Sequence, residues 1–71
     1  MSDSEIRTVL ANNIKGELAG QGIGLREFAI AVGSRSQVYD IVAGKKGCTV
    51  DMLDRIAAVL CVNTFELLKK G

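Results

Sequence analysis

The sequence contains no histidine, no proline and no tryptophan. The first absence removes the one side chain that ordinarily titrates near neutral pH, and with it the commonest general acid–base catalyst and metal ligand. The lack of proline leaves glycine and small polar residues to punctuate the chain. Aromatics are confined to Phe28, Tyr39 and Phe65, so a core must be assembled from Leu, Ile, Val and Ala, which suits close helix packing. Cysteine is limited to Cys48 and Cys61. Two thiols without a histidine leave a tetrahedral zinc shell half empty, so no metal and no other cofactor is expected. No apolar run approaches the roughly 18 residues that a membrane span needs, and no signal peptide is recognisable at the start. Both thiols are therefore read as free, in a reducing cytoplasm.

Catalysis finds little support. Cys48 follows a lysine pair and a glycine and has no base beside it. Gly20, Gly22 and Gly24 lack the lysine and the preceding strand of a phosphate-binding loop. Neither an enzyme nor a small-molecule ligand is expected. Net charge is only +1, from nine basic and eight acidic side chains, short of the strong basic excess that usually marks nucleic-acid binding. The distribution is more informative. Between Gly20 and Val50 the charged residues are Arg26, Glu27, Arg35, Asp40, Lys45 and Lys46, a modestly positive stretch.

What is present is helical periodicity. With 71 residues, 48% of them apolar, the chain is one domain at most, and the punctuation cuts it into five short helices. The first spans about Ser4 to Leu18, with Ile6, Val9, Leu10, Ile14 and Leu18 on one face. Its cap is either Ser2, paired with Glu5, or Ser4. Ala19-Gly20-Gln21-Gly22 ends it. The second spans about Leu25 to Val32, with Phe28, Ala29 and Val32 inward, Leu25 one turn before them and Ile23 packing back on the first turn. Gly33 stops it. The third starts at Ser34 or Arg35, with Ser34 a candidate N-cap, and runs to Ala43 with Val38, Ile41 and Val42 inward. Gly44 closes it. After Lys45-Lys46-Gly47-Cys48, Thr49 caps a fourth helix whose apolar face is Val50, Leu53, Ile56, Ala57 and Leu60. Asn63 and Glu66 have capping-box spacing before a last helix, Thr64 to Lys69. No segment alternates like a strand, so an all-α bundle of five helices is predicted.

The region from Ile23 to Gly44 points to function. Two helices of about eight residues, joined by a very tight connection at Gly33, predict a helix-turn-helix. Ala29 must be small because the next helix passes close over it, and Val38 and Ile41 pin that helix to the core. Its first turn then offers Arg35, Ser36 and Gln37 outward, at the end that enters the major groove in this motif. Arginine can pair with both acceptors of guanine, and glutamine with adenine. Ser36 and Tyr39 can reach a base or a phosphate. These residues could also open an ordinary solvated helix. The frame of Ala29, Gly33, Val38 and Ile41 favours DNA contact.

That frame resembles the lambda repressor and Cro type of helix-turn-helix domain, over roughly Ile14 to Leu68. Ile23, Phe28-Ala29 and Gly33 match the family's first motif helix, and Val38, Ile41 and Gly44 its second. The more specific half is Thr49-Val-Asp-Met-Leu53-Asp-Arg-Ile56-Ala57-Ala-Val-Leu60-Cys-Val62, followed by Leu67-Leu68. Three departures stand out. The spacing from Gly33 to Val38 is one residue shorter than the family norm, so the turn or helix start must differ locally. Leu25 replaces a glutamine that often contacts DNA. Cys61 replaces a frequent glycine.

The resemblance implies a sequence-specific transcriptional repressor of the short phage Cro type, binding double-stranded operator DNA as a homodimer in a bacterial host's cytoplasm, at the nucleoid. The chain ends soon after the fifth helix and is expected to carry no sensory domain. Expected base readers are Arg35, Ser36, Gln37 and Tyr39. Expected phosphate contacts are Arg26, Ser34, Lys45 and Lys46. Lys15, Arg55, Lys69 and Lys70 read as surface charges. Self-association is assigned to Met52, Val59, Val62, Phe65 and Leu68, since so small an interior cannot bury them all. The rival expectation is a protein-interaction module of the same fold, such as an antitoxin or an anti-repressor, which the modest net charge favours.

Overall fold

A computed structural model describes residues 3–69. Among these residues there are five helices and no strand: α1 (Asp3–Gln21), α2 (Leu25–Val32), α3 (Arg35–Val42), α4 (Val50–Leu60) and α5 (Thr64–Leu68). The Cα radius of gyration is 10.8 Å, close to the roughly 11 Å of a compact chain of this length. α1 packs against α3 and α5, α2 against α3 and α4, and α4 against α5.

The all-helical architecture agrees with the periodicity, and the differences lie at helix ends. α1 includes Ser4, so Ser4 is not its cap; Ser2, like Lys70, lies outside the described residues. The helix continues through Ala19 and Gly20 to Gln21, three residues past the expected stop. The break falls at Gly22, whose φ of +68° is the left-handed conformation that glycine adopts freely. There the Gly22 amide bonds the Ala19 carbonyl at 3.3 Å and the Ile23 amide bonds the Leu18 carbonyl at 2.9 Å, a Schellman closure with Ile23 packed against the core.

The same closure recurs twice. At the end of α3, Gly44 bonds Ile41 and Lys45 bonds Asp40. At the end of α4, Cys61 bonds Ala58 and Val62 bonds Ala57. Cys61 takes the left-handed position that glycine fills elsewhere, with φ of +59°. α2 ends more simply: the Gly33 amide bonds Ala29 at 3.0 Å, Gly33 has φ of +93°, and the chain turns at once into α3.

Of the three expected N-terminal caps after α1, one forms. Thr49 Oγ1 accepts from the Met52 amide at 3.2 Å. Ser34 occupies the cap position of α3, but its hydroxyl makes no cap bond and its backbone (φ −149°, ψ 82°) departs from the usual capping geometry. Asn63 makes no side-chain cap bond either. Its own carbonyl oxygen takes the Glu66 amide at 3.0 Å, the donor that a capping side chain would have satisfied. α5 ends at Leu68, one residue before the expected Lys69.

The core is apolar throughout, with no buried polar or charged residue among those described. Ile14, Phe28, Val38, Ile41, Ile56, Leu60 and Leu67 are essentially sealed from solvent. Each such side chain contributes on the order of 1.5–3 kcal/mol by leaving water. Two residues expected on inward faces are exposed, Ile6 at 42% and Val50 at 75%. Val50 is the first residue of α4 and lies beyond the reach of the core. Leu25, likewise the first residue of α2, is also partly exposed, at 37%.

Two side-chain amides of α1 tie the bundle together. Asn13 donates to the carbonyl oxygens of Leu67 and Lys69, each at 2.7 Å, and Gln21 donates to the carbonyl oxygen of Leu60 at 2.7 Å. Both satisfy carbonyls at or just past helix C-termini, which have no partner within their own helix.

Candidate nucleic-acid interface

Only Gly33 and Ser34 separate α2 from α3. This resolves the shortened spacing noted in the sequence: α2 uses the one-bond closure at Gly33, and α3 begins directly after Ser34. Phe28, Ala29 and Val32 of α2, and Val38, Ile41 and Val42 of α3, are all buried. The helix pair is therefore fixed on the core from both sides.

Burial of those three α3 residues leaves a polar outer side. Arg35, Ser36, Gln37, Tyr39 and Asp40 are all exposed, Tyr39 at 40%. At 3.6 residues per turn, Ser36 and Asp40 lie nearest the middle of this exposed side. Arg35 and Tyr39 flank one edge and Gln37 the other. Lys45 and Lys46 follow in the loop and are exposed, as is Arg26 on α2. Ser34, the remaining expected phosphate contact, is half-buried.

The electrostatics are uneven but mild. From α2 to the loop before α4 there are four basic and two acidic side chains, while the rest of the chain has five basic and six acidic. The excess of this segment lies in the lysine loop, since α2 carries Arg26 with Glu27 and α3 carries Arg35 with Asp40. Arg7 belongs beside this region although sequence reasoning passed over it. A β-carbon placed on Gly47 would lie 3.8 Å from Arg7 Nε, so the arginine of α1 packs along the loop that carries Lys45 and Lys46. Only the tertiary fold brings it there.

Two further residues near the face were missed or noted only in passing. Asp40 sits at its centre. Ile30 of α2 is 58% exposed and lines a shallow groove with Ala29, Gly33 and Arg35. The position of Asp40 could have been found by projecting α3 as a helix around its apolar residues.

The five residues assigned to self-association divide into two groups. Met52, Val59 and Val62 are half-buried and packed against the core. Phe65 and Leu68 are 60% and 46% exposed. Leu68 also borders a mainly apolar groove lined by Ile6, Arg7, Leu10, Gly47, Cys48 and Leu53.

Cys48 and Cys61 are both free thiols. Burial pushes the pKa of the Cys48 thiol above its ordinary value, opposed by a smaller backbone hydrogen-bond effect. Among the described residues no group of three or more His, Cys, Asp or Glu is placed to hold a metal ion, and no helix is long and apolar enough to cross a membrane.

No protein-family profile matches the sequence, and no curated protein or solved structure resembles it at a significant level.

Proposed function

We propose that the chain is a helix-turn-helix protein that binds operator DNA as a homodimer and represses transcription, in the manner of the short phage Cro-type repressors that its sequence resembles. α2 and α3 form the motif, and α3 is the recognition helix. The observation that carries this reading is the division of α3. Val38, Ile41 and Val42 are buried, while Arg35, Ser36, Gln37 and Tyr39 are exposed on a helix entered by a two-residue turn.

With the start of α3 in the major groove, Arg35 can pair with O6 and N7 of guanine and Gln37 with N6 and N7 of adenine. Ser36 and Tyr39 reach a base edge or a phosphate. Ser34 and the first amides of α3 favour a phosphate by the partial positive charge of a helix start. Lys45 and Lys46 beyond α3, and Arg26 on the helix that crosses the backbone, supply further phosphate contacts. Two copies place α3 in successive major grooves, with half-sites about 34 Å apart. Phe65 and Leu68, the most exposed of the apolar candidates, are the centre of the contact between copies, with Met52, Val59 and Val62 at its edge. Repression follows from steric exclusion of RNA polymerase at an overlapping promoter. It needs no cofactor and no chemistry.

Selection of bound sequences from random duplex DNA at near-physiological salt tests this reading. An enriched inverted repeat with that half-site spacing supports it, and no enrichment by folded protein contradicts it.

A second reading, a protein-interaction module such as an antitoxin or anti-repressor, draws on one observation. Ile30 is exposed beside Arg35, and Glu27 and Asp40 dilute the charge of the same surface. Salt separates the two. Phosphate contacts release counterions, so DNA affinity falls steeply as salt rises. Binding centred on Ile30 would not.

A further inference from the structure

The proposed DNA-reading face has an acid at its centre. Asp40 lies four residues after Ser36, on the same line along α3, and is exposed. Among the described residues its carboxylate has no ion-pair partner. Its main-chain carbonyl is held by the Lys45 amide at 2.9 Å, which fixes the end of α3 around it. An unpaired carboxylate here is costly if α3 faces phosphates, because like charges repel and burial strips its water. It becomes useful if it meets a hydrogen-bond donor in the groove.

Resting on the DNA-binding reading, we infer that Asp40 selects a cytosine at one position in each half-site. The major-groove edges decide the base. Guanine presents N7 and O6, and thymine presents O4, all acceptors that a carboxylate cannot pair with. Adenine offers the N6 amino group but sets the N7 acceptor beside it, against the second carboxylate oxygen. Cytosine presents the N4 amino donor with an acceptor, the O6 of the paired guanine, on one side only, whereas the adenine amino group lies between N7 and the thymine O4. The carboxylate therefore discriminates mainly by rejection, since guanine and thymine leave it desolvated and unpaired and adenine sets an acceptor against its second oxygen. It also opposes loose binding to phosphates, which fits the low net charge of the chain.

The inference makes Asp40→Asn a change of specificity. Asparagine donates and accepts, and so pairs with N6 and N7 of adenine. Selection from random duplex DNA is run with the full-length protein, with Asp40→Asn, and with Asp54→Asn, an exposed acid on α4 that controls for the change in charge. The expected result is an invariant cytosine in the wild-type half-site that shifts to adenine in Asp40→Asn alone, with a preference of about tenfold or more. Asp54→Asn leaves the motif as it was. Should Asp40→Asn fail to unfold cooperatively, Asp40→Ala serves instead: it removes the carboxylate and is expected to lose the preference for cytosine. A wild-type motif that persists at every position in the Asp40 variants overturns the inference while leaving DNA recognition intact. A wild-type protein that selects no motif overturns DNA recognition itself, and the inference with it.

Discussion

The side-chain amide of Gln21 donates a 2.7 Å hydrogen bond to the main-chain oxygen of Leu60, joining the last turn of α1 to the last turn of α4. The same amide donates to Glu17 Oε2 at 3.2 Å, so both of its hydrogens are engaged and its rotamer is held. Gln21→Ala leaves the Leu60 oxygen without this partner. A loss of about 0.5–1.5 kcal/mol is expected, read as a lower urea midpoint at unchanged slope. Asn13→Ala, which releases two carbonyls of the α5 end, costs at least as much. An unaltered midpoint in both variants would show that these clamps contribute nothing.

Two glycines are expected to respond in opposite directions to alanine. Gly16 lies inside α1, and an added methyl group there meets nothing within 4 Å. Gly16→Ala should stabilise by about 0.5–1 kcal/mol through backbone entropy alone. Gly33 also has open space around it, but its φ of +93° is strained for any L side chain. Gly33→Ala should cost about 1–3 kcal/mol and disturb the entry to α3, so DNA affinity falls as well. Thermal unfolding of the two variants checks both signs.

The two thiols should differ in reactivity. Cys61 is exposed, whereas Cys48 is half-buried and its pKa is raised by desolvation. A raised pKa means less thiolate at any given pH below it, and the thiolate is the reactive form. In native protein a thiol reagent near neutral pH should label Cys61 first. Labelling of Cys48 should accelerate only above the ordinary thiol range or on unfolding. Equal rates in the folded protein would contradict the structure around Cys48.

Phe65 is 60% exposed on α5, so a charge there costs the fold little. Phe65→Glu is expected to retain helical content and cooperative unfolding but to shift sedimentation from dimer to monomer. DNA affinity should fall with the loss of the second half-site. An unchanged sedimentation profile in the folded variant removes Phe65 from the contact between copies.

Much of the fold was legible because it follows from periodicity. Leu10, Ile14, Phe28, Val38, Ile41, Ile56 and Leu60 recur at three- and four-residue steps, and all are buried. Helix ends were less legible, because they depend on which amide reaches which carbonyl. Gly20 looked like a stop yet continues α1, since the break needs the left-handed residue at Gly22. Asn63 looked like a cap yet its carbonyl oxygen takes the bond. The exposed face of α3 was readable from the apolar spacing. Arg7 beside Gly47, and the exposure of Ile30, required the packing of helices distant in sequence.

The central claim is that the α3 side chains read bases while the lysine loop holds the backbone, and affinity measured across salt for Gln37→Ala and Lys45→Ala tests it most directly. Each variant is titrated with the selected duplex and with random duplex. Gln37→Ala should lose preference at one base pair per half-site, by about 1–3 kcal/mol, with its affinity for random duplex almost unchanged. Lys45→Ala should weaken binding to both duplexes equally and reduce the salt slope by about one. If the two variants behave alike, the division into reader and anchor is wrong and α3 does not lie in the groove as described.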